Sequence, residues 1–184
     1  MKAILSVLPV ELLPAKTFNI PEVEETGETF IENALLKARH ASHFSNYPAI
    51  ADDSGLVVEH LNGVPGIYSA RYAGFDATNE ERIDKLLQAL KGVPDDKRTA
   101  YFYSAVVFVR HAKDPIPIIG QGVWKGKILT KPVGTHGLGY DPVFYVHTHH
   151  CSAAELKPEI KNQLSHRYCA ITQLVSQLKV LFVC

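Results

Sequence analysis

The segment Thr99–Arg110, TAYFYSAVVFVR, is the hardest constraint on how this chain can fold. Its density of Tyr, Phe and Val predicts one long strand, because aromatic and β-branched side chains pack well on a pleated surface. The segment before it follows a different period. Between Asn79 and Lys91, Ile83, Leu86, Leu87 and Leu90 form one stripe, with Glu80, Glu81, Asp84, Lys85 and Gln88 off it. That spacing predicts an amphipathic helix, stopped by Gly92 and Pro94. A chain carrying both signals buries its helices against a sheet.

The remaining elements follow the same logic. Helices are predicted over Lys2–Leu8, Glu28–Phe44 (capped by Thr26 or Gly27), Ser152–Leu156, Glu159–Leu164 and Tyr168–Leu178. Strands are predicted over Ala49–Ala51, Leu56–Leu61, Ile116–Trp124 and Pro142–Val146. Pro9 to Pro21 is punctuated by proline and reads as extended. Lys131 to Asp141 carries Gly134, Gly137 and Gly139 and reads as a loop. Strands and helices mix without strict βαβ alternation, which predicts an α/β fold with a mixed, partly antiparallel central sheet flanked by helices.

Composition limits the function classes. At 184 residues the expectation is one domain, residues 1–184, with a core that needs no staples. No apolar run approaches the roughly 20 residues that span a bilayer, so no membrane role is expected. Lys plus Arg and Asp plus Glu both number 19, which argues against a chain whose main task is gripping nucleic-acid backbone. A small phosphorylated ligand held by a few local charges is compatible with that balance. Cys151, Cys169 and Cys184 are scattered and odd in number, which suits a reducing, cytoplasmic setting better than a disulfide framework. The opening stretch is interrupted by Pro9 and Glu11 and lacks a cleavage site of small residues, so it does not read as a signal peptide.

Four segments carry chemistry. In EVEETGETFIENALLKA, Glu22, Glu24 and Glu25 precede a helix on which Glu28, Glu32 and Asn33 lie on or near the side carrying Lys37. A solvated charged face reads the same way. In AIADDSGLVVEH, Asp52 and Asp53 follow an apolar strand, where α/β folds place sites. If both stay in the strand they point to opposite faces, one into a site and the other bracing a loop. In KPVGTHGLGYDPVFY, glycines allow close backbone approach to a ligand, and Tyr140 and Asp141 offer a ring and an acceptor. In EIKNQLSHRYC, Lys161, His166 and Arg167 put three candidate cations within seven residues, and Ser165-His166-Arg167 stands before the last helix, where the dipole disfavours cations. A fifth run, His147, His149, His150 and Cys151, has metal-ligand residue types but no standard zinc spacing.

The strings EETGETFIENALLKARHA, AIADDSGLVVEHLNGVPGIYSARYAG, GTHGLGYDPVF and AAELKPEIKNQLSHR, in this order, resemble the inosine triphosphate pyrophosphatase family. The resemblance covers most of the chain from about Pro21 to Arg167. It implies hydrolysis of ITP, dITP and XTP to the monophosphate and pyrophosphate, with Mg2+ and as a homodimer. It also implies roles. Asp53 is the catalytic carboxylate, as general base or metal ligand, and Glu24 is the second metal-binding acid, with Glu25 as its substitute. Ser54 contacts substrate, and Lys37 lies on a nucleotide-binding helix. Leu138, Gly139, Tyr140 and Asp141 form the base-pocket loop, and Lys161, His166 and Arg167 contact base and phosphate. Three features depart from the family. Met1-Lys2-Ala3-Ile4-Leu5 matches the helix that usually follows an N-terminal strand and phosphate-binding loop; without that loop, a homologue that binds nucleotide but turns it over poorly is the alternative. Leu138 stands where an aromatic residue commonly stacks on the base, and His136 replaces a usual glycine.

Overall fold

A computed structural model describes residues 2–182. Five strands make one sheet in the order β1-β2-β3-β4-β5: β1 (Ala49–Val58), β2 (Thr99–Val109), β3 (Ile118–Ile128), β4 (Phe144–Val146) and β5 (Cys151–Ser152). β3 pairs antiparallel with β4, Ile128 opposite Phe144, and β4 antiparallel with β5, Val146 opposite Cys151. The helices are α1 (Lys2–Leu5), α2 (Phe30–Ser45), α3 (Asn79–Ala89), α4 (Pro158–Leu164) and α5 (His166–Phe182). The expected α/β class is the observed one.

The chain packs as two compact units. The first takes the residues up to Asp53, Ser104–Gly122, and those from His166 on; the second takes Ser54–Tyr103 and Val123–Ser165. The first unit's core joins Leu5 and Leu8 to Val106 and Phe108 of β2 and to Ala170, Ile171, Leu174, Val175 and Leu178 of α5. The second unit's core gathers Leu56, Ile83, Leu86, Leu90, Phe102, Trp124 and Phe144. The stripe read from the α3 sequence is thus buried in it. Arg98 is also buried there, and its guanidinium donates to the carbonyls of Leu90, Ile128 and Leu129 at 2.7–2.9 Å.

Several boundaries differ from the sequence expectation. The α1 helix ends at Leu5 rather than Leu8, and the segment after Pro9 contains a 3-10 turn at Ala15–Phe18. The α2 cap is Thr29, not Thr26 or Gly27. Its hydroxyl accepts from the Glu32 amide while the Glu32 carboxylate accepts from the Thr29 amide. Ala49–Ala51 and Leu56–Leu61 are not two strands. β1 runs unbroken through Asp52-Asp53-Ser54-Gly55, because its place beside β2 outweighs the local Ser-Gly break. Ser152–Leu156 is not helical: Ser152 pairs with Tyr145 and the Ala153 amide donates to the Phe144 carbonyl, which commits this segment to the sheet. Cys151 and Cys169 are free thiols, and Cys184 lies outside the described residues.

β3 shows why α5 can lie so close in the first unit. Its buried positions alternate, beginning with Gly120 and Gly122. A Cβ at Gly122 would sit 2.6 Å from the Ala170 amide nitrogen and collide with the His166 carbonyl, and one at Gly120 would sit 2.8 Å from the Leu174 amide nitrogen. Glycine in a strand here marks a close helix approach. Gly122→Ala should therefore destabilise the protein by about 1–3 kcal/mol, the usual cost of overpacking. A urea unfolding midpoint equal to wild type would show that α5 does not press on this strand.

Candidate active site

In the first unit, α2 and β1 bring three charges together. Lys37, two turns into α2, donates to Glu25 and to Asp53, both at 2.9 Å. Asp53 is 7% exposed, while Lys37 and Glu25 are half-buried. Burial pushes the Asp53 carboxyl above its ordinary value, and the Lys37 ammonium offsets only part of that rise. Burial alone would lower Lys37, but its bonds to Asp53 and Glu25 outweigh this and hold it above its ordinary value. Glu24, one residue before Glu25, is exposed. Of the two acids, Glu25 is therefore the one engaged with Lys37.

The strand alternation at Asp52 and Asp53 is resolved by their partners. Asp53 faces Lys37 of α2, and Asp52 accepts from Nε of Arg167 on the first turn of α5 at 2.9 Å. His166 opens that helix and is half-buried.

The second unit holds the other predicted residues. Ser54 continues β1, half-buried. Asp141 is buried, is ion-paired with Lys161 of α4, and accepts from the Leu138 amide at 2.6 Å. A Cβ at Gly137 (φ +88°) would strike the Asp141 carboxylate, so the loop wraps closely around that group. Tyr140 is buried and donates its hydroxyl to the Ser69 carbonyl at 2.9 Å. The Ser69 hydroxyl in turn accepts from the Leu56 amide of β1. Gly139 (φ +62°) turns the chain, and Leu138 is 80% exposed. Nothing in the sequence marks Ser69; its role appears only from the loop's path.

Among the described residues no three His, Cys, Asp or Glu side chains gather tightly enough to form an all-protein metal cage. This also holds for the His147–Cys151 run, whose histidines are exposed. Asp53 Oδ2, however, is buried with no hydrogen-bond partner among the described residues. An unmatched carboxylate oxygen beside further carboxylates fits a hard cation that takes one or two protein oxygens and completes its shell with water and phosphate.

The Lys37 triad has a pH signature. In Lys37→Met, Asp53 and Glu25 keep their burial but lose their counter-charge, so the folded-state pKa of Asp53 rises further. A raised carboxylate pKa costs stability above that pKa, and the cost fades as pH falls through it. The variant should lose about 2 kcal/mol at pH 7, between exposed and buried ion-pair values. The deficit should shrink by pH 4. Urea unfolding at both pH values checks this, and a deficit that grows on acidification would contradict the assigned partners.

Comparison with known proteins accords with these observations. The model of the Ham1 family matches residues 1–177. The dITP/XTP pyrophosphatase of Vibrio cholerae is 51% identical over 179 residues, covering 97% of this chain and 90% of its own length. That of Legionella pneumophila (strain Lens) is 54% identical over 166 residues, covering 90% of this chain and 86% of its own. Among solved structures, a HAM1 protein from Coxiella burnetii superposes with a TM-score of 0.93 at 46% identity, covering 97% of this chain and 91% of its own. The Staphylococcus aureus Ham1 protein gives 0.87 at 40% identity, with 98% and 91% covered. A family model that spans nearly the whole sequence, with relatives this similar, places the chain in the Ham1 family.

Proposed function

We propose that this chain hydrolyses the purine nucleoside triphosphates ITP, dITP and XTP to the monophosphate and pyrophosphate, removing them from the nucleotide pool. The observation that carries the reading is the buried Asp53 carboxylate, held by Lys37, which also pairs with Glu25, and left with one oxygen unmatched among the described residues. The names of the relatives support the substrate class.

Attack on the α-phosphorus needs a water stripped of its proton and a leaving pyrophosphate whose charge is neutralised. Asp53 takes the proton; a carboxylate whose pKa is pushed up by burial is a better base than a solvated one. Asp53 and Glu24 are assigned to Mg2+, with Glu25 as the substitute, though Glu25 is already paired with Lys37. When bound, the cation supplies water activation and charge shielding at the phosphates. Lys37 keeps Asp53 ionised and aligned and faces the phosphates as a further cation. Ser54 is assigned to substrate.

The purine contacts are assigned to His166 and Arg167 in the first unit, and to Lys161 and the Leu138-Gly139-Tyr140-Asp141 loop in the second. Asp141 holds the Lys161 ammonium in place, and the Tyr140 hydroxyl ties the loop to Ser69. Donors from Arg167, His166 or nearby backbone match a carbonyl at the purine six-position. The amino group of adenine would leave them unpaired, a mismatch worth orders of magnitude. A homodimer in the cytoplasm completes the proposal, and light scattering of the purified chain tests the dimer.

Pyrophosphate release with Mg2+ should be faster from ITP, dITP and XTP than from ATP, as the six-position contact requires, and faster than from GTP, whose guanine shares that carbonyl and whose exclusion rests on the relatives' names; EDTA should abolish it. Equal rates on all five nucleotides would overturn the substrate assignment. Asp53→Asn should lower kcat by roughly 10²–10⁴, the usual worth of a general base, while leaving the circular dichroism spectrum unchanged. Retained turnover would remove Asp53 from its role.

A further inference from the structure

Asn33 stands one helical turn before Lys37 on α2 and is completely buried. A buried amide ordinarily has partners for both its oxygen and its nitrogen. Its Oδ1 accepts from the Gly27 backbone amide at 2.8 Å. Among the described residues its Nδ2 closes no hydrogen bond, and neither does the buried Oδ2 of Asp53. These two unmatched atoms are complementary, one donor and one acceptor. The Asn33 side chain addresses the Asp53 carboxylate as a donor group, and Lys37, one turn further along the same helix face, holds the other oxygen of that carboxylate at 2.9 Å. The orientation of the amide is dictated by its neighbours. Reversing it would set N–H against the Gly27 N–H and oxygen against the carboxylate.

Gly27 presses on the same side chain. A Cβ there would lie 2.7 Å from Asn33 Oδ1 and 2.7 Å from Glu32 Cβ. Bracing of the α2 entry does not account for this arrangement, because Thr29 and Glu32 already close the capping box. What Asn33 adds is a link. One end of its amide holds the segment that carries Glu24 and Glu25, and the other end addresses Asp53.

We propose that Asn33 is a positioning residue of the hydrolytic site, a single buried amide that seats the acidic segment at Gly27 and orients the Asp53 carboxylate, so that the acids on two elements are placed as one set. The kinetic consequence rests on the pyrophosphatase reading; the link itself does not.

Two measurements separate these. In ¹H–¹⁵N NMR of the full chain, Asp53→Asn should shift both the Asn33 side-chain amide and the Gly27 backbone amide, while leaving the Glu81 amide of α3 in place. An unmoved Asn33 amide would overturn the link, whatever the chain's activity. The second measurement is a cycle on ITP hydrolysis with Gly27→Ala and Asn33→Ala. Each alone should cost roughly 10–10² in kcat, the scale of an ångström-level misplacement, with KM changed less than about threefold. Together they should cost clearly less than the product of the two, because Gly27→Ala presses on Asn33 as well as on Glu32. Fully multiplying losses would overturn the proposal. Asn33→Asp keeps the acceptor for Gly27, loses the donor and adds a carboxylate beside Asp53. It should retain the wild-type fold by circular dichroism and still lose kcat. Wild-type kcat in that variant would reduce Asn33 to a brace. If the wild-type chain itself hydrolyses no ITP, the pyrophosphatase reading fails and the NMR result alone decides the link.

Discussion

The candidate site depends on one ammonium group. Asp53 is buried on β1, and a buried carboxylate with no counter-charge would take up a proton and cease to be useful as a base or a ligand. Lys37 reaches it from α2 and at the same time pairs with Glu25, from the segment that leads into that helix. Three separate stretches of sequence thus meet at one nitrogen. The charges are not fully compensated, since burial still leaves Asp53 above its ordinary pKa. That residual imbalance is what a base or a cation site uses.

The placement of Lys37 is secured by features that carry no charge chemistry themselves. The Thr29–Glu32 capping box sets where α2 begins, and therefore which face carries Asn33 and Lys37. Asn33 then accepts from the Gly27 amide and ties the acidic segment to the helix. On the other side of β1, Asp52 holds Arg167, whose helix lies against Gly120 and Gly122 of β3. Neighbouring acids in one strand therefore address two different helices, as the alternation of side chains in a strand requires. The second unit uses the same device, with Asp141 buried in a glycine loop and Lys161 as its counter-charge.

Much of this was legible in the residues. The α3 stripe and the β2 run were read with nearly their observed bounds, because each obeys one period over its whole length. The four motif strings identified the family before any geometry. Less legible was everything that depends on pairing between distant residues. Ser54-Gly55 looks like a break, yet β1 continues, because the sheet supplies partners that local preference cannot foresee. Ser152–Leu156 looked helical for the converse reason. Glu24 and Glu25 are neighbours of the same type, so no sequence argument separates them; only the Lys37 bond does. Asn33 was visible on the Lys37 side of the helix, but its burial and its hold on Gly27 were not.

The sequence by itself determined the class of elements, the identities of the charged groups and the family to which they belong. The elements and the charged groups follow from periodicity and residue type, which are local properties, and the family from the likeness of four ordered motif strings. Tertiary structure alone decided which acid meets which cation, that Asp53 is buried while Glu24 is exposed, and that one oxygen of Asp53 closes no hydrogen bond among the described residues. The physical reason is that a carboxylate's strength as a base or ligand is set by desolvation and by charges a few ångströms away. In a folded chain those neighbours come from residues far apart in sequence.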